Sequence, residues 1–231
     1  MNILSSRGDT TTMTFMDVTC EMVNTAPLSI LIATHNDFKM CEFRAMAEGY
    51  PVVFQSLTDA GLKIDIEEKG TSFDENALYK ARAVHAFTQD RLVLADDSGL
   101  VVDALGGAPG IYSARFAGIS ATDHDRMKKV LDELQHEACR DAAFICTIAV
   151  IFPTGEERLY QGELKGTIAE NPSGSSGFGY DPIFIPEGET RTLAEFSFNE
   201  KNSVSHRGRA LKAFFDNIGF TREKEEHYGE T

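Results

Sequence analysis

The spacing of hydrophobic residues changes several times along the chain. Residues 29–33 form a continuous apolar run, after which Met40, Phe43 and Ala47 recur at helical spacing up to Gly49. A short continuous apolar run predicts a buried strand, and a repeat of three to four residues predicts one face of a helix. This segment therefore predicts a strand, a loop and a helix in succession.

Three further helices are predicted by the same periodicity. Ser72 with Glu75 has the spacing of a capping box, in which the first side chain caps the helix and the second returns to the cap. Thr122 with Asp125 opens another helix. Residues 205–208 precede the last predicted helix. The apolar faces that follow these starts contain Ala77, Ala81 and Val84; then Met127, Val130, Leu131 and Leu134; then Ala210, Leu211, Phe214, Phe215 and Ile218.

Strands are expected in the middle of the chain. Residues 92–95 predict a strand, with a second short apolar stretch at 101–105, and residues 144–152 and 158–169 predict a long antiparallel hairpin joined by the turn sequence between them. Early alternation followed by hairpins predicts an α/β fold with a mixed sheet and flanking helices. We expect residues 1–27 to be a disordered extension, 28–220 to be one two-lobed domain with a ligand cleft, and 221–231 to be a tail.

The charge of the chain limits its partners. With 36 acidic and 22 basic residues the formal net charge is −14, which disfavours a nucleic acid polymer because binding one requires many cationic contacts. A small phosphate ligand needs only a local basic cluster, and a divalent metal can bridge it to an acidic protein. The charge therefore favours a small anionic ligand.

The cysteines and the apolar runs indicate where the protein works. Cys20, Cys41, Cys139 and Cys146 show neither zinc-type spacing nor a disulfide framework. Apolar runs fall well short of the roughly 18 to 20 residues that a bilayer span requires. We expect a cytoplasmic protein without a membrane segment.

The loop after the first predicted strand has the composition of a phosphate site. Backbone N–H groups at a helix start, with a lysine one turn further on, can hold phosphate, and Lys39 supplies that cation. The alternative is that Asn36 merely caps the helix and Lys39 is solvated. Neither a P-loop nor a dinucleotide-binding glycine motif is present in the sequence.

Acidic residues predict a metal site beside that loop. Asp96, Asp97 and Ser98 are expected just past a strand end, and carboxylate oxygens suit Mg²⁺ together with substrate phosphates. Glu67 or Glu68 could supply a second carboxylate. The alternative is an ordinary turn with Asx capping. In a helix, Asn76 and Lys80 would share a face, which is more often a solvated stripe than a site.

Two segments near the C-terminus offer groups for a nucleobase. Residues 173–182 interleave glycines with Phe178 and Tyr180, which allows close backbone approach and aromatic stacking. Lys201 and the Ser205-His206-Arg207-Gly208 segment add donors at a helix start. A glycine-rich hairpin loop and a charged helix start are the alternatives.

Six segments taken in order resemble the inosine triphosphate pyrophosphatase family. They are residues 34–39, 67–81, 95–100, 106–118, 176–184 and 205–211, within a match of about residues 28–216. The resemblance implies the fold of that family and of Maf proteins, a homodimer, and Mg²⁺-dependent hydrolysis of ITP, dITP or XTP to the monophosphate and pyrophosphate. Such an enzyme would remove deaminated purines from the nucleotide pool.

The resemblance also implies roles for individual residues. Asp97 would activate water and bind the metal with Glu67. The residues implied to contact substrate are Thr34, His35, Asn36, Asp37, Phe38 and Lys39 on the phosphates, Lys80 and Ser98 on the triphosphate, and Phe178, Gly179, Tyr180, Asp181, Lys201, His206 and Arg207 around the base and ribose. His35 stands where the family commonly has glycine.

Two other functions are compatible with parts of the sequence. A Maf-type pyrophosphatase acting on pyrimidine or methylated nucleotides would share the fold, but the segments at 178–181 and 205–208 disfavour it. A catalytically silent nucleotide-binding protein would lose the metal carboxylates, whereas Glu67, Asp96 and Asp97 are present.

For base choice, donors directed at a 6-oxo group would meet the 6-amino group of adenine and stay unpaired. Exclusion of guanine must depend on its 2-amino side.

Overall fold

A curled, mixed sheet of six strands forms the framework of the described chain. The computed structural model describes residues 26–64, 66 and 69–222. The strands are β1 (Leu28–Ile32), β2 (Val52–Ser56), β3 (Leu92–Val102), β4 (Asp141–Ile151), β5 (Glu157–Ile168) and β6 (Phe184–Pro186), in the spatial order β2-β1-β3-β4-β5-β6. β1 pairs in parallel with β2 and β3, and the remaining pairs are antiparallel. The predicted mixed sheet and hairpin are confirmed.

Five α-helices lie within the described ranges. They are α1 (Asp37–Met46), α2 (Phe73–His85), α3 (Asp123–Glu133), α4 (Phe198–Val204) and α5 (His206–Asn217). The predicted caps hold: the side chains of Ser72 and Thr122 accept backbone N–H groups of Glu75 and Asp125. The Glu75 carboxylate binds Thr71, so the return contact falls one residue earlier than a capping box requires. The short helix α4 has no apolar repeat long enough to predict it.

The expectation that Asp96, Asp97 and Ser98 lie past a strand end is wrong. All three lie inside β3, which runs unbroken for 11 residues, so the turn interpretation fails as well. β4 pairs with β3 along its length and keeps residues 96–98, the polar segment of β3, in an extended conformation. Asp96 lies opposite Ile148 and Asp97 opposite Thr147. β1 is the strand that ends here: its pairing with β3 stops at Leu94.

Three apolar clusters divide the two faces and the two ends of the sheet. Ile30, Phe54 and Leu94 pack under α1 and α5 on one face, and Leu31, Val93 and Ala149 pack under α2 on the other. Opposite faces receive alternate residues because strand side chains alternate. The second half of β3, with Leu100 and Val102, belongs to a third cluster that includes α3 and β6. The polar segment of β3 therefore lies between the first two clusters at one end of the sheet and the third cluster at the other end.

The described helices are short. No helix among residues 26–64, 66 and 69–222 combines the length and the apolar character that a membrane span requires. Residues 1–25 and 223–231 lie outside the described residues, so the predicted extension and most of the predicted tail are not described.

Close packing at Gly162 fixes α5 against β5. A Cβ atom at Gly162 would collide with the carbonyl oxygen of His206 and lie 2.6 Å from the backbone nitrogen of Ala210. Both contacts are backbone atoms, which cannot rotate away as a flexible side chain can. Gly162 thus allows the helix that begins at His206 to approach the sheet.

We expect Gly162→Ala to lower the free energy of unfolding by about 1–3 kcal/mol, the usual cost of overpacking. Urea denaturation measures the change. Lys165→Ala, at an exposed position of the same strand, is the matched control and should stay within about 0.5 kcal/mol of wild type. Equal stability of the two variants would show that α5 can move away from β5 without cost.

Candidate active site

A cavity of about 550 Å³ opens where β1 ends and β3 continues. Its volume falls in the range of small-molecule sites. Because β3 lacks the pairing of β1 beyond Leu94, the cavity reaches side chains on both faces of β3. Loops that follow the carboxyl end of a parallel strand are the usual position of ligand sites in α/β sheets.

The predicted site residues converge on this cavity. The predicted residues on its wall are Thr34, His35, Asn36, Phe38, Lys39, Lys80, Asp97, Ser98, Phe178, Gly179, Tyr180, Asp181, Lys201, His206 and Arg207, joined by Asp96. Asp37 is exposed and lies outside the wall, and an acidic side chain there has no favourable contact to offer a phosphate. Glu67 and Glu68 lie outside the described residues.

The loop between β1 and α1 is organised by its own side chains. Asn36 caps α1 by accepting the backbone N–H of Lys39 at 3.1 Å, and Thr34 Oγ1 accepts the N–H of Asn36 at 3.1 Å. His35 Nε2 lies 3.1 Å from the carbonyl oxygen of Ile64, so the ring ties this loop to the segment before α2. The capping interpretation of Asn36 is confirmed, but Lys39 is not solvated: its ammonium lies 2.7 Å from Asp96.

Asp96 and Asp97 point to opposite faces of β3 and have different partners. Asp97 Oδ1 accepts a hydrogen bond from Lys80 at 2.8 Å, and its Oδ2 accepts one from Asn76 at 3.2 Å, both from α2. Asp96 faces α1 and α5 and binds Lys39 and Arg207. The stripe of Asn76 and Lys80 is therefore buried against the strand and not solvated.

Six side chains of alternating charge connect the walls of the cavity, and all of them except the partly exposed Lys39 are buried. In order they are Lys39, Asp96, Arg207, Glu42, Lys201 and Asp181, with Lys201 Nζ lying 2.7 Å from Glu42 and 2.6 Å from Asp181. Arg207 bridges Glu42 and Asp96 and also donates to Ser98 Oγ at 2.9 Å. This charge chain joins α1, the polar segment of β3, helices α4 and α5, and Asp181 after the glycine-rich loop.

The pKa values in the charge chain follow from its charges. Burial alone would raise the pKa of Asp96, but the charges of Lys39 and Arg207 outweigh it and hold that pKa well below its usual range. Burial likewise opposes ionisation of Glu42, yet Arg207 and Lys201 lower its pKa. Burial disfavours the Arg207 cation, but Glu42 and Asp96 raise its pKa. All three groups stay ionised at neutral pH.

His206 is a neutral group in this charged surrounding. Burial, followed by the positive charges of Arg207 and Lys201, holds the pKa of His206 well below its usual value. Its ring stacks on Phe144 at a centroid distance of 4.8 Å. Its Nδ1 has no hydrogen-bond partner among the described residues. A neutral imidazole with a vacant nitrogen can accept from or donate to a ligand, according to its tautomer.

The glycine-rich loop at residues 177–180 is anchored at three points. The N–H of Phe178 donates to Asp181 at 2.9 Å, the N–H of Gly179 donates to Asp123 at 2.8 Å, and the hydroxyl of Tyr180 donates to the carbonyl oxygen of Ser113 at 2.9 Å. A Cβ atom at Gly177 would collide with the Asp181 carboxylate, and Gly177 has a φ of 77°. The loop thus presents the Phe178 ring on the cavity wall.

Sequence reasoning missed Glu42, Asp123 and Arg126. Glu42 lies one turn after Lys39, but its partner Arg207 is 165 residues away, and no local pattern reveals that contact. Asp123 directly follows the predicted cap Thr122 and was assigned no role, although it binds Gly179 and Arg126. Arg126 also donates to the carbonyl oxygens of Ala114 and Ala121, at 3.1 Å and 2.6 Å.

The sequence model of the Ham1 family matches residues 30–217. The chain belongs to the Ham1 family. The matched range contains every residue on the cavity wall, so family membership covers the whole site.

Curated relatives match this chain over most of its length. The dITP/XTP pyrophosphatase of Bacillus subtilis is 48% identical over 186 residues, which cover 79% of this chain and 92% of that relative. The dITP/XTP pyrophosphatase of Geobacter sulfurreducens is 46% identical over 193 residues, covering 83% of this chain and 96% of the relative. The similarity therefore extends over nearly the full length of these enzymes.

Solved structures agree with the fold. A HAM1 protein from Coxiella burnetii is 40% identical and superposes with a TM-score of 0.75, covering 83% of this chain and 98% of that chain. A nucleoside-triphosphatase, or dITP/XTP pyrophosphatase, from Mycobacterium abscessus is 44% identical with a TM-score of 0.66, covering 81% and 98%. The expected Ham1-like fold is confirmed.

Glu42→Gln tests the charge chain. Glutamine keeps the volume of Glu42 but removes the charge that Arg207 and Lys201 share, and loss of one partner of a buried ion pair costs about 3–5 kcal/mol. We expect the free energy of unfolding, measured by urea denaturation, to fall by about 3 kcal/mol or somewhat less, since Asp96 and Asp181 remain as partners.

Glu157→Gln is the matched control for this variant. Glu157 pairs with Arg82 at the surface, where the two side chains are 33% and 53% exposed, and such pairs contribute less than about 1 kcal/mol. A loss for Glu42→Gln no larger than that of Glu157→Gln would mean that the buried chain does not stabilise the fold.

Proposed function

We propose that this chain hydrolyses deaminated purine nucleoside triphosphates, namely ITP, dITP and XTP, to the nucleoside monophosphate and pyrophosphate. One observation carries the proposal: residues predicted from separate segments to serve phosphate, water and base line a single cavity. Relatives named dITP/XTP pyrophosphatase include one that is 48% identical to this chain over 186 residues. Such a reaction removes deaminated purines from the nucleotide pool.

The phosphates lie against the loop after β1 and against α2. Lys39 and the N-terminal N–H groups of α1 face one side of the cavity, and Lys80 faces the other side across β3. Cations and helix N-termini stabilise the negative charge that develops on the leaving pyrophosphate. Thr34 and Ser98 add hydroxyl groups at the same wall.

Asp97 accepts the proton of the attacking water. Water adds across the α–β phosphoanhydride, one proton passes to the Asp97 carboxylate, and the bridging oxygen leaves with pyrophosphate. Asp97 is nearly buried at 6% exposure, and Lys80 and Asn76 fix its orientation. Asp96 instead holds Lys39 and Arg207 in place, because both cations bind its Oδ2.

The donor set of the cavity fits Mg²⁺. Among the described residues no cluster of three or more His, Cys, Asp or Glu side chains has metal-binding spacing. Mg²⁺, however, uses one or two carboxylates together with substrate phosphates. Asp96 and Asp97 are adjacent in β3 and both lie on the cavity wall, although they point to opposite faces of the strand. The buried Asp96 Oδ1 has no hydrogen-bond partner among the described residues. Asp97 and Glu67 would hold the ion, which supplies positive charge to the phosphate oxygens.

The other end of the cavity selects the base. Phe178 offers a ring for stacking, and Lys201 and Arg207 supply N–H donors that suit the 6-oxo group of hypoxanthine or xanthine. Adenine presents an amino group at that position, so a buried donor would lose its partner. His206, which is neutral, adds a second polar contact.

We further propose that the enzyme is a cytoplasmic homodimer. Cys41, Cys139 and Cys146 are free thiols, as expected in a reducing compartment. Tyr112 and Ile119 are 55% and 92% exposed and provide apolar surface of the kind that subunit contacts bury. The molar mass in solution decides the oligomeric state.

A substrate panel tests the proposed reaction. With Mg²⁺ we expect kcat/KM for ITP and XTP to exceed that for ATP by at least about 100-fold, because the 6-amino group of adenine leaves a buried donor unpaired. We expect GTP to be cleaved far more slowly as well, through discrimination at its 2-amino group. Ion chromatography should detect pyrophosphate and the monophosphate. Comparable turnover of ATP, or release of orthophosphate, would contradict the proposal.

Asp97→Asn tests the role of the proposed base. We expect kcat for ITP to fall by about 10²- to 10⁴-fold, the contribution of a general base, with a circular dichroism spectrum like that of wild type. Asp96→Asn serves as the comparison, and its main effect should be lower stability because Lys39 and Arg207 lose charge compensation. Near-normal kcat in Asp97→Asn with a large loss in Asp96→Asn would transfer the base to Asp96.

A further inference from the structure

Phe38 is a large apolar side chain in an unfavourable place. It is the second residue of α1, and 63% of its surface is exposed. Exposed aromatic rings lose the hydrophobic stabilisation that burial provides. Phe38 nevertheless lies on the wall of the cavity, so the exposed ring faces the space that the substrate occupies.

The Phe38 ring meets Phe178 across the cavity. The two ring centroids are 5.6 Å apart and the ring planes differ by 23°, which is a stacked arrangement. One ring comes from α1 and the other from the anchored loop at residues 177–180. Lys201 and Arg207 also lie near Phe178, with Nζ 4.7 Å and Cζ 6.0 Å from its centroid. The Phe38 ring is therefore at the base end of the cavity.

Phe38 cannot serve the phosphates as its neighbours do. Phenylalanine has no hydrogen-bond donor, and consecutive residues of an α-helix point about 100° apart. The adjacent Lys39 side chain turns inward to Asp96, at 2.7 Å, whereas the Phe38 ring turns towards Phe178. The two neighbours thus serve different ends of the cavity.

We propose that Phe38 is a second base-stacking residue, and that the purine is held between the rings of Phe38 and Phe178. This inference rests on the proposed function and assigns Phe38 to the base and not to the phosphates. Two aromatic rings can stack on the flat, polarisable faces of a purine. Lys201 and Arg207 would donate hydrogen bonds to the polar substituents at its edge.

The rings must separate to admit the base. Stacking on both faces requires ring planes about 7 Å apart, twice the usual contact distance of about 3.5 Å, and the present centroid distance is 5.6 Å. The exposed Phe38 side chain can rotate into solvent, whereas hydrogen bonds of Phe178 and Gly179 hold the opposite loop. Phe38 is thus the ring that moves.

Phe38→Trp makes the contact directly observable. The chain contains no tryptophan, so the variant carries one fluorophore at the proposed contact. We expect saturable quenching on titration with inosine monophosphate, because a stacked purine quenches indole emission, and little change with inorganic tripolyphosphate. Phe87→Trp is the control: Phe87 is 72% exposed and lies away from the cavity wall, and its emission should respond to neither compound.

Phe38→Ala supplies the kinetic counterpart. We expect KM for ITP to rise about 5- to 100-fold, the range of base–aromatic stacking, with kcat within about threefold and inhibition by tripolyphosphate unchanged. Phe38→Tyr should restore KM. Phe87→Ala should match wild type.

The outcomes separate this inference from the proposed function. Suppose that wild type cleaves ITP, that the emission of Phe38→Trp is not quenched, and that KM is unchanged in Phe38→Ala. This combination would overturn the stacking role alone. If Phe38→Ala weakened the binding of ITP and of tripolyphosphate equally, the stacking role would also be overturned, because that result would place Phe38 on the phosphate side. Quenching by inosine monophosphate without any ITP cleavage by wild type would refute the proposed reaction and support the stacking role.

Discussion

The neutralisation of buried charge is the constraint on which the rest of the structure depends. Asp96 and Arg207 are almost fully buried, and each isolated ion would cost several kcal/mol to remove from water. The charge chain from Lys39 to Asp181 makes both tolerable by giving each interior ion at least two partners of opposite sign. The same contacts fix helix α1, strand β3 and helices α4 and α5 relative to one another. The stability of the fold and the geometry of the cavity therefore have a common cause.

The unequal lengths of β1 and β3 determine where that chain can meet a ligand. β3 continues beyond the pairing with β1 because β4 supplies a complete antiparallel partner on its other side. The unpaired edge lets Asp96 and Asp97 face one cavity although they lie on opposite sides of the sheet. One carboxylate can thus organise cations while its neighbour faces Lys80. A strand that ended at Ala95 would place both carboxylates in a loop and lose this separation.

Local patterns in the sequence predicted most of the fold, and contacts between distant segments explain the errors. Capping at Ser72 and Thr122 and the hairpin of β4 and β5 depend on nearby residues and were predicted correctly. The polar segment of β3 looked like a turn because its strand character comes from β4, some fifty residues away. Glu42 was missed for the same reason, since its charge is explained only by Arg207 and Lys201. The resemblance to a family brought the site residues together, but it assigned Phe38 from its position in a motif and not from its contacts.

Charge balance in the ligand-free cavity explains why a cation suits the proposed reaction. The charge chain contains three positive and three negative side chains, and Lys80 and Asp97 form a further neutral pair. These side chains add no net positive charge with which to attract a triphosphate, and the whole sequence carries −14. In the proposed reaction Lys39 and Lys80 would therefore divide their donors between a carboxylate and the phosphates, and a divalent cation would supply the charge that they cannot.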